Sequence, residues 1–129
     1  MQVNIPHVHA EVEAVFASYE KALVGNDVET VEALFHDSAH SVRYGVAENL
    51  YGMDEIRDFR RNRPAINLAR RLERTQITTY GENFATASTL FVRDSAPHLI
   101  GRQMQTWVRF AEGWKVVAAH VSLIDDKSA

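Results

Sequence analysis

The second half of the chain contains only strand patterns, and this constrains the fold more than any other feature. After Pro64 the sequence predicts four long strands, over residues 69–80, 82–93, 98–110 and 113–124. The connections between them are short and contain glycine or proline, as is typical of neighbouring antiparallel strands. A sheet of long strands must have at least one covered face, so we expect the first half of the chain to supply the cover.

The first half is predominantly helical in pattern. Pro6 suits a first helical turn, apolar residues from Val8 to Leu23 recur at helical spacing, and Gly25 ends the helix. We predict a second, short helix capped by Asn26, with Glu29 completing a variant of the capping box.

Two short strands, 40–46 and 48–52, are predicted next, followed by a third helix over 53–63. The order is therefore ααββαββββ. It predicts a single α+β domain over residues 1–129, with three helices packed on one face of a curved, mostly antiparallel sheet.

Composition excludes several classes of function. The chain has 129 residues, a formal charge of −3 and a pI near 6.0, which argues against a dedicated nucleic-acid-binding protein. No apolar run approaches the roughly 20 residues of a membrane span, and the N-terminus lacks the pattern of a secretory signal. There is no cysteine. These features favour a cytoplasmic protein without disulfides.

Arginine is concentrated in one part of this acidic chain. Eight arginines lie between residues 43 and 74, whereas the whole protein has three lysines. In the third helix Arg60 and Arg63 border the apolar stripe, whereas Arg57 and Arg61 follow acidic residues at ion-pair spacing and are predicted to be exposed. In ARRLER, alternation puts Arg70 and Arg74 on one face of the strand and Arg71 on the other, but it does not indicate which face is the inner one.

Arg43 lies in the middle of a predicted strand with no acidic residue beside it. A buried guanidinium without an anion is costly, so an inward-facing Arg43 needs a partner. Two alternatives remain open, namely an ion pair with Glu48 on the next strand and an anionic ligand, whose carboxylate would fit the guanidinium fork.

The last hairpin suggests a cavity. A two-residue loop at Glu112–Gly113 would pair Trp107 with Ala118, Gln105 with His120 and Gln103 with Ser122, all on one face. This polar cluster is typical either of a ligand cavity or of a satisfied buried network. The opposite face is also rich in apolar residues, which predicts a homodimer through the outer face of the sheet.

Tyr19 lies on the apolar stripe of the first helix. Its hydroxyl either belongs to the core or enters the cavity as a proton donor. His36 and His40 have a metal-like spacing, but they fall between a helix and a strand, and no metal or organic cofactor is predicted.

Several segments resemble a known family. They are SVRYGVAENLYGMDEIRDFRRNRPA, TTYGENFATASTLFVR and GRQMQTWVRFAEGWKVVAAHVSLID. Together they resemble the AtzH-like (HpxZ-like) group of the nuclear-transport-factor-like, or SnoaL-like, superfamily, and the likeness covers nearly the whole chain. The R-x-G…E-x-L-x-G…I-x-x-F-R-x-x-R pattern carries most of it. The implied fold is a cone-shaped, cystatin-like roll with a pocket inside the sheet, and the ending GWKVVAAHVS implies that His120 and Ser122 face that pocket.

The resemblance also implies a function. Members are associated with the breakdown of oxalurate and of s-triazines, including removal of a carboxyl group from 1,3-dicarboxyurea. We therefore expect an enzyme acting on a small ureido carboxylate, by cofactor-free decarboxylation or C–N cleavage. The alternative is an accessory protein that binds such an acid without turning it over.

The candidate residues divide into two groups. Those expected to take part in catalysis are Tyr19, Arg43 and His120. Those expected to bind substrate are Arg60, Arg63, Gln103, Gln105, Trp107 and Ser122.

Overall fold

The structure is a computed structural model that describes residues 1–128. The helices are α1 (Pro6–Val24), α2 (Val28–Ala33) and α3 (Met53–Asn62). The strands are β1 (Val42–Tyr44), β2 (Asn49–Tyr51), β3 (Arg70–Tyr80), β4 (Phe84–Arg93), β5 (Leu99–Phe110) and β6 (Gly113–Asp125). The predicted order ααββαββββ is therefore confirmed.

The six strands form one sheet in the order β2-β1-β6-β5-β4-β3. Every neighbouring pair is antiparallel except β1 and β6, which run parallel. The helices pack on one face of this curved sheet, so the predicted α+β architecture is also confirmed. We call the face that meets the helices the inner face and the opposite one the outer face.

The cap of α2 differs from the prediction. Asn26 adopts a left-handed backbone conformation, with a φ angle of 55°, which suits the turn between the two helices. The N-cap is Asp27, whose carboxylate accepts hydrogen bonds from the backbone and the hydroxyl of Thr30. Capping therefore falls one residue later than predicted.

The core lies between α1, α3 and the inner face of the sheet. Val8, Val12 and Phe16 of α1 are buried against the sheet, and Ile56 fixes α3 over it. Trp107, the largest fully buried side chain, lies at the centre of the inner face of β5. Apolar spacing in the helices and alternation within the regular parts of the strands produce this arrangement.

The predicted register of the β5–β6 hairpin is wrong. Phe110 pairs with Gly113, so the two-residue loop is Ala111–Glu112, and Gly113 adopts a φ angle of 120°. A β-bulge then shifts the pairing, because Trp107 pairs with Val116 while Thr106 pairs with Ala118. An extra residue in one strand reverses the faces of all the residues beyond it.

This shift moves His120 and Ser122 to the outer face. His120 pairs with Met104, and Ser122 pairs with Arg102. Gln105 and Gln103 keep their predicted inward direction, but their partners on β6 are Ala119 and Val121.

A glycine on β5 makes room for an aromatic ring. Gly101 pairs with Phe91 of β4, and a Cβ atom at Gly101 would lie 2.1 Å from the Phe91 ring. Phe91 is fully buried. The ring therefore lies across the bare backbone of β5, an arrangement that only glycine permits.

We predict that Gly101→Ala lowers the free energy of unfolding by about 1–3 kcal/mol, because a buried ring cannot move aside without strain. Urea denaturation measures this change. In a Phe91→Leu background the same substitution should cost less, since the smaller side chain relieves the overlap. Equal costs in both backgrounds would show that the ring is not the cause.

Candidate functional site

Five arginines converge on one small cavity beneath the helices. The cavity has a volume of about 30 Å³. The arginines that line it are Arg43, Arg60, Arg63, Arg70 and Arg93. The remaining wall consists of the side chains of Tyr19, Leu23, Gln103, Gln105, Ala119 and Val121.

The fold delivers these arginines from four elements. Arg43 is the central residue of β1, and Arg60 lies one helical turn after the buried Ile56 of α3. Arg63 caps the C-terminal end of the same helix. Arg70 and Arg93 are directly opposed across the start of β3 and the end of β4. Strand pairing and helix periodicity thus force guanidinium groups together.

Arg43 forms the first of the two contacts that its sequence context left open, the ion pair with Glu48. Its Nη1 donates to Oε1 of Glu48 at 2.8 Å, which confirms the predicted ion pair, and its side chain also lines the cavity. A Cβ at Gly45 would lie 1.7 Å from that Glu48 oxygen. Gly45 therefore gives Glu48 the space to reach Arg43, which explains the spacing of the R-x-G…E pattern.

Arg70 has a bidentate ion pair. Its Nε and Nη2 donate to the two carboxylate oxygens of Glu20 at 3.0 and 2.6 Å, and Nη2 also donates to Oε1 of Gln103 at 2.9 Å. The side chain of Arg70 is 4% exposed, so this pair is largely shielded from water. Such geometry holds the guanidinium in a single orientation.

The remaining three arginines of the cavity have no carboxylate partner. Within residues 1–128, no ion pair involves Arg60, Arg63 or Arg93. Arg60 is buried, and its Nε is without a hydrogen-bond partner in that part of the chain. Burying charge without compensation is costly, so this group of residues is a candidate anion-binding site.

The positive charges perturb one another. Burial lowers the pKa of Arg60, and the nearby charge of Arg43 lowers it further despite the opposing effect of Tyr19. Burial also lowers the pKa of Arg63, with Arg60 and Arg43 adding to the effect. The pKa of Arg93 is lowered by burial and then by Arg70. Five guanidiniums share the site with only two carboxylates, so the cavity is strongly electropositive.

Aromatic rings form cation–π contacts with four of these guanidinium groups. The Arg43 guanidinium lies 5.4 Å from the centre of the Phe59 ring, and that of Arg60 lies 5.4 Å from Phe35. Arg70 and Arg93 share Phe91, at 4.4 and 5.2 Å. Cation–π contacts offset part of the desolvation cost without neutralising the charge.

Tyr19 lies beside these arginines, and its hydroxyl is held by a hydrogen bond from one of them. It is 3% exposed, and its Oη accepts a hydrogen bond from Nη2 of Arg60 at 2.8 Å. Its ring packs edge-on against Trp107 and tilted against Phe35. Because the arginine can only donate, the phenolic proton remains available to a group in the cavity.

The other predicted site residues divide by face. Trp107 is fully buried and does not line the cavity. Its Nε1 donates to Oε1 of Gln105 at 3.1 Å, so it holds a residue of the cavity wall in place. His120 is exposed on the outer face, with its ring 6.0 Å from that of Tyr44. Ser122 accepts a hydrogen bond from Arg102 on the same face. The prediction that His120 and Ser122 face the pocket is therefore wrong, and the bulge is the reason.

Arg57 and Arg61 lie outside the cavity, as predicted. Arg57 contacts Asp54 at 3.2 Å, but Arg61 pairs with Glu32 rather than with the predicted Asp58. Sequence reasoning missed Arg93 and left Arg70 undecided. The available signal was that both occupy the ends of adjacent predicted strands, where antiparallel pairing brings them together.

The structure gives no indication of a metal site or a membrane segment. Across residues 1–128, no three His, Asp or Glu side chains cluster in a way that would hold a metal ion. None of the helices in that range has the length and the apolar character needed to cross a bilayer.

The fold is that of the nuclear-transport-factor-2-like proteins, also described as cystatin-like. A superfamily member from Salmonella enterica matches with a TM-score of 0.71 at 22% identity, with 94% of each chain covered. A cystatin-like fold protein from Burkholderia xenovorans matches with a TM-score of 0.94 at 50% identity, with 98% of each chain covered.

The comparisons also define the family. A protein of unknown function from the DUF3225 family of Pectobacterium atrosepticum is 55% identical, with a TM-score of 0.93 and 95% of each chain covered. A family model described as AtzH-like matches residues 1–127. The chain therefore belongs to the AtzH-like family. A comparison with curated proteins gave no match.

The unpartnered charges should destabilise the ligand-free protein. Because the pKa of Arg63 is lowered on folding, its charged form is less favourable in the folded chain than in the unfolded one. The cost is present at every pH below the lowered pKa, neutral pH included, and is relieved only as the pH rises through that value.

We predict that Arg63→Gln raises the unfolding temperature at pH 7 by a few degrees, solvent screening keeping the gain modest. Arg61→Gln is the matched control. The pKa of Arg61 is raised by its bond to Glu32, so its removal should not stabilise the protein. Thermal denaturation without added anions measures both. A lower unfolding temperature for Arg63→Gln would contradict the assignment of an unpaired charge.

Proposed function

We propose that the cavity binds a small ureido carboxylate, of the N-carboxyurea, 1,3-dicarboxyurea or oxalurate type, and that the protein cleaves it without a cofactor. The observation that carries this proposal is the buried Arg60 guanidinium, which has no carboxylate partner within residues 1–128 and is bonded to the hydroxyl of Tyr19. The partly buried Arg63 and Arg93 line the same cavity. Arginine forks suit carboxylates, and a volume of about 30 Å³ is enough for the carboxylate end of such a ligand. Membership of the AtzH-like family supports the ureido-acid class.

Decarboxylation is the reaction that these groups support best. Arg60 and Arg63, with Arg43 held by Glu48, would orient the substrate carboxylates. As the bond between nitrogen and the departing carboxyl carbon breaks, its electron pair stays on nitrogen. Tyr19 donates its phenolic proton to that nitrogen, and carbon dioxide leaves. The Arg60 guanidinium, 2.8 Å from Oη, stabilises the resulting phenolate until solvent returns the proton.

The apolar part of the wall favours the neutral product. Leu23, Ala119 and Val121 supply the apolar part of the cavity lining. Trp107, which was expected to bind substrate, lies deeper in the core and does not line the cavity. A site that excludes water from one side of the substrate favours carbon dioxide over the starting carboxylate.

Product analysis tests this proposal. We would measure carbon dioxide and ammonia from fresh 1,3-dicarboxyurea and from oxalurate, with spontaneous decay subtracted. From 1,3-dicarboxyurea we expect carbon dioxide without ammonia, and a loss of about 10²–10⁴-fold in Tyr19→Phe, because a positioned proton donor contributes that much. Oxalurate, whose carboxyl group is bonded to carbon and not to nitrogen, should release no carbon dioxide by this step. Arg43→Ala should lose activity mainly through weaker substrate binding.

Matched variants elsewhere in the chain control for general effects. Tyr80→Phe alters an exposed tyrosine, and Arg57→Ala removes a partly exposed arginine outside the cavity, so both should retain wild-type rates. Ammonia release would indicate C–N hydrolysis instead of decarboxylation. Tight binding of both acids with no turnover above background would identify an accessory, binding-only protein.

We further propose that the outer face buries against a second copy of the chain. Met104 is 59% exposed at the centre of this face, beside a shallow groove of about 520 Å³. An exposed apolar side chain in the middle of a sheet is typical of an interface.

We predict a dimer for the wild type and a monomer for Met104→Arg, because a charge buried in an interface without a partner is strongly unfavourable. Light scattering after size exclusion measures both. Ile66→Arg is the control, since Ile66 is 66% exposed in the connection before β3, away from that face. A monomeric wild type would refute the interface.

A further inference from the structure

Two glutamines on β5 have amide orientations that their neighbours determine. Gln103 and Gln105 are both buried on the inner face and both line the cavity. An amide side chain offers one accepting oxygen and one donating nitrogen. Which of the two meets a ligand depends on what the other is bound to.

Arg70 determines the orientation of Gln103. The guanidinium nitrogen lies 2.9 Å from the amide of Gln103 and has no acceptor capacity, so the amide atom facing it must be the oxygen. The amide nitrogen occupies the other branch. It is buried, and it has no hydrogen-bond partner among residues 1–128. A buried donor without a partner is an unusual feature that a ligand acceptor would satisfy.

Trp107 determines the orientation of Gln105 in the same way. The indole nitrogen, which can only donate, lies 3.1 Å from Oε1 of Gln105. The amide nitrogen of Gln105 is therefore again the branch left for the cavity. Two residues apart on one strand, the two glutamines point to the same face.

Every polar side chain of the cavity wall thus offers hydrogen to a ligand. The guanidiniums can only donate, and the Tyr19 oxygen already accepts from Arg60, which leaves its O–H to donate to a ligand. The carboxylates of Glu20 and Glu48 are engaged by Arg70 and Arg43. A ligand group that carries its own N–H would face donors there, and such mismatches are strongly rejected in buried sites.

We propose that Gln103 and Gln105 are specificity-determining residues that select a ligand end consisting only of acceptors. The position facing the two amides would take a carboxylate or carbonyl oxygen and reject a terminal amide. This inference rests on the proposed anion site and narrows its substrate class. It implies that a ureido acid enters with its carboxylate end first and keeps any terminal NH₂ outside.

The test uses Gln103→Glu, which keeps an oxygen for Arg70 and replaces the donating nitrogen with an acceptor. Pyruvate and oxamate are the probes, because they have the same charge and nearly the same shape but differ in a methyl against an NH₂ group. Calorimetry gives the affinity ratio of the two. We expect wild type to prefer pyruvate, and Gln103→Glu to shift the ratio towards oxamate by about tenfold.

Gln76→Glu is the matched control. It makes the same chemical change on β3, and Gln76 lines the groove of the outer face, so the ratio should stay at the wild-type value. Gln105→Glu provides a second variant and should shift the ratio in the same direction should Gln103→Glu fail to fold. Oxalate titration of the wild type tests the anion site independently of its selectivity for acceptor groups. No oxalate binding would refute the anion site itself, whereas oxalate binding with an unchanged ratio in both variants would overturn only the selectivity.

Discussion

The mutual repulsion of guanidinium groups in a shielded cavity is the constraint on which the site depends. Like charges at short range in a low dielectric cost much more than at a surface, and the fold still brings five of them together. The structure offsets this cost in three ways. Glu20 and Glu48 neutralise Arg70 and Arg43, aromatic rings lie behind four of the guanidiniums, and Tyr19 accepts from Arg60. What remains uncompensated is the charge available to a ligand.

The architecture explains why the site can be both charged and rigid. The rings of Phe35 and Phe91 are fully buried, and Phe59 packs against the same core. The arginines therefore rest on parts of the molecule that are fixed by hydrophobic packing rather than on mobile loops. Preorganised donors of this kind bind an anion without a large reorganisation cost. The same aromatic rings therefore contact the guanidinium groups and the apolar core.

Much of this arrangement could be predicted from local patterns. Arg60 was identified because it lies four residues after Ile56 on a short amphipathic helix, and Arg43 because a mid-strand arginine needs an anion. Gln103 and Gln105 were placed on the correct face because alternation within one strand does not depend on the partner strand. The order of helices and strands was enough to predict the fold, because short connections leave few possible arrangements for four long strands.

The errors have a common physical origin in strand irregularities. The bulge near Val116 reversed the faces of His120 and Ser122, and no residue pattern in GWKVVAAHVS distinguishes a bulged from a regular strand. A second irregularity, between Glu73 and Gln76, separates the start of β3 from its remainder, so alternation alone could not orient Arg70. Arg93 becomes significant only once it is paired with Arg70, and pairing is a property of the tertiary structure.

Gly45 illustrates how a residue without a side chain can control the electrostatics of a site. The Glu48 carboxylate occupies the space that any side chain at position 45 would take. The neutralisation of Arg43 thus depends on the absence of a side chain at position 45, and not only on the ionisable residues around the cavity. A methyl group at this position would displace the carboxylate and leave Arg43 uncompensated, so the formal charge of the protein would stay the same while the potential felt by a ligand became more positive.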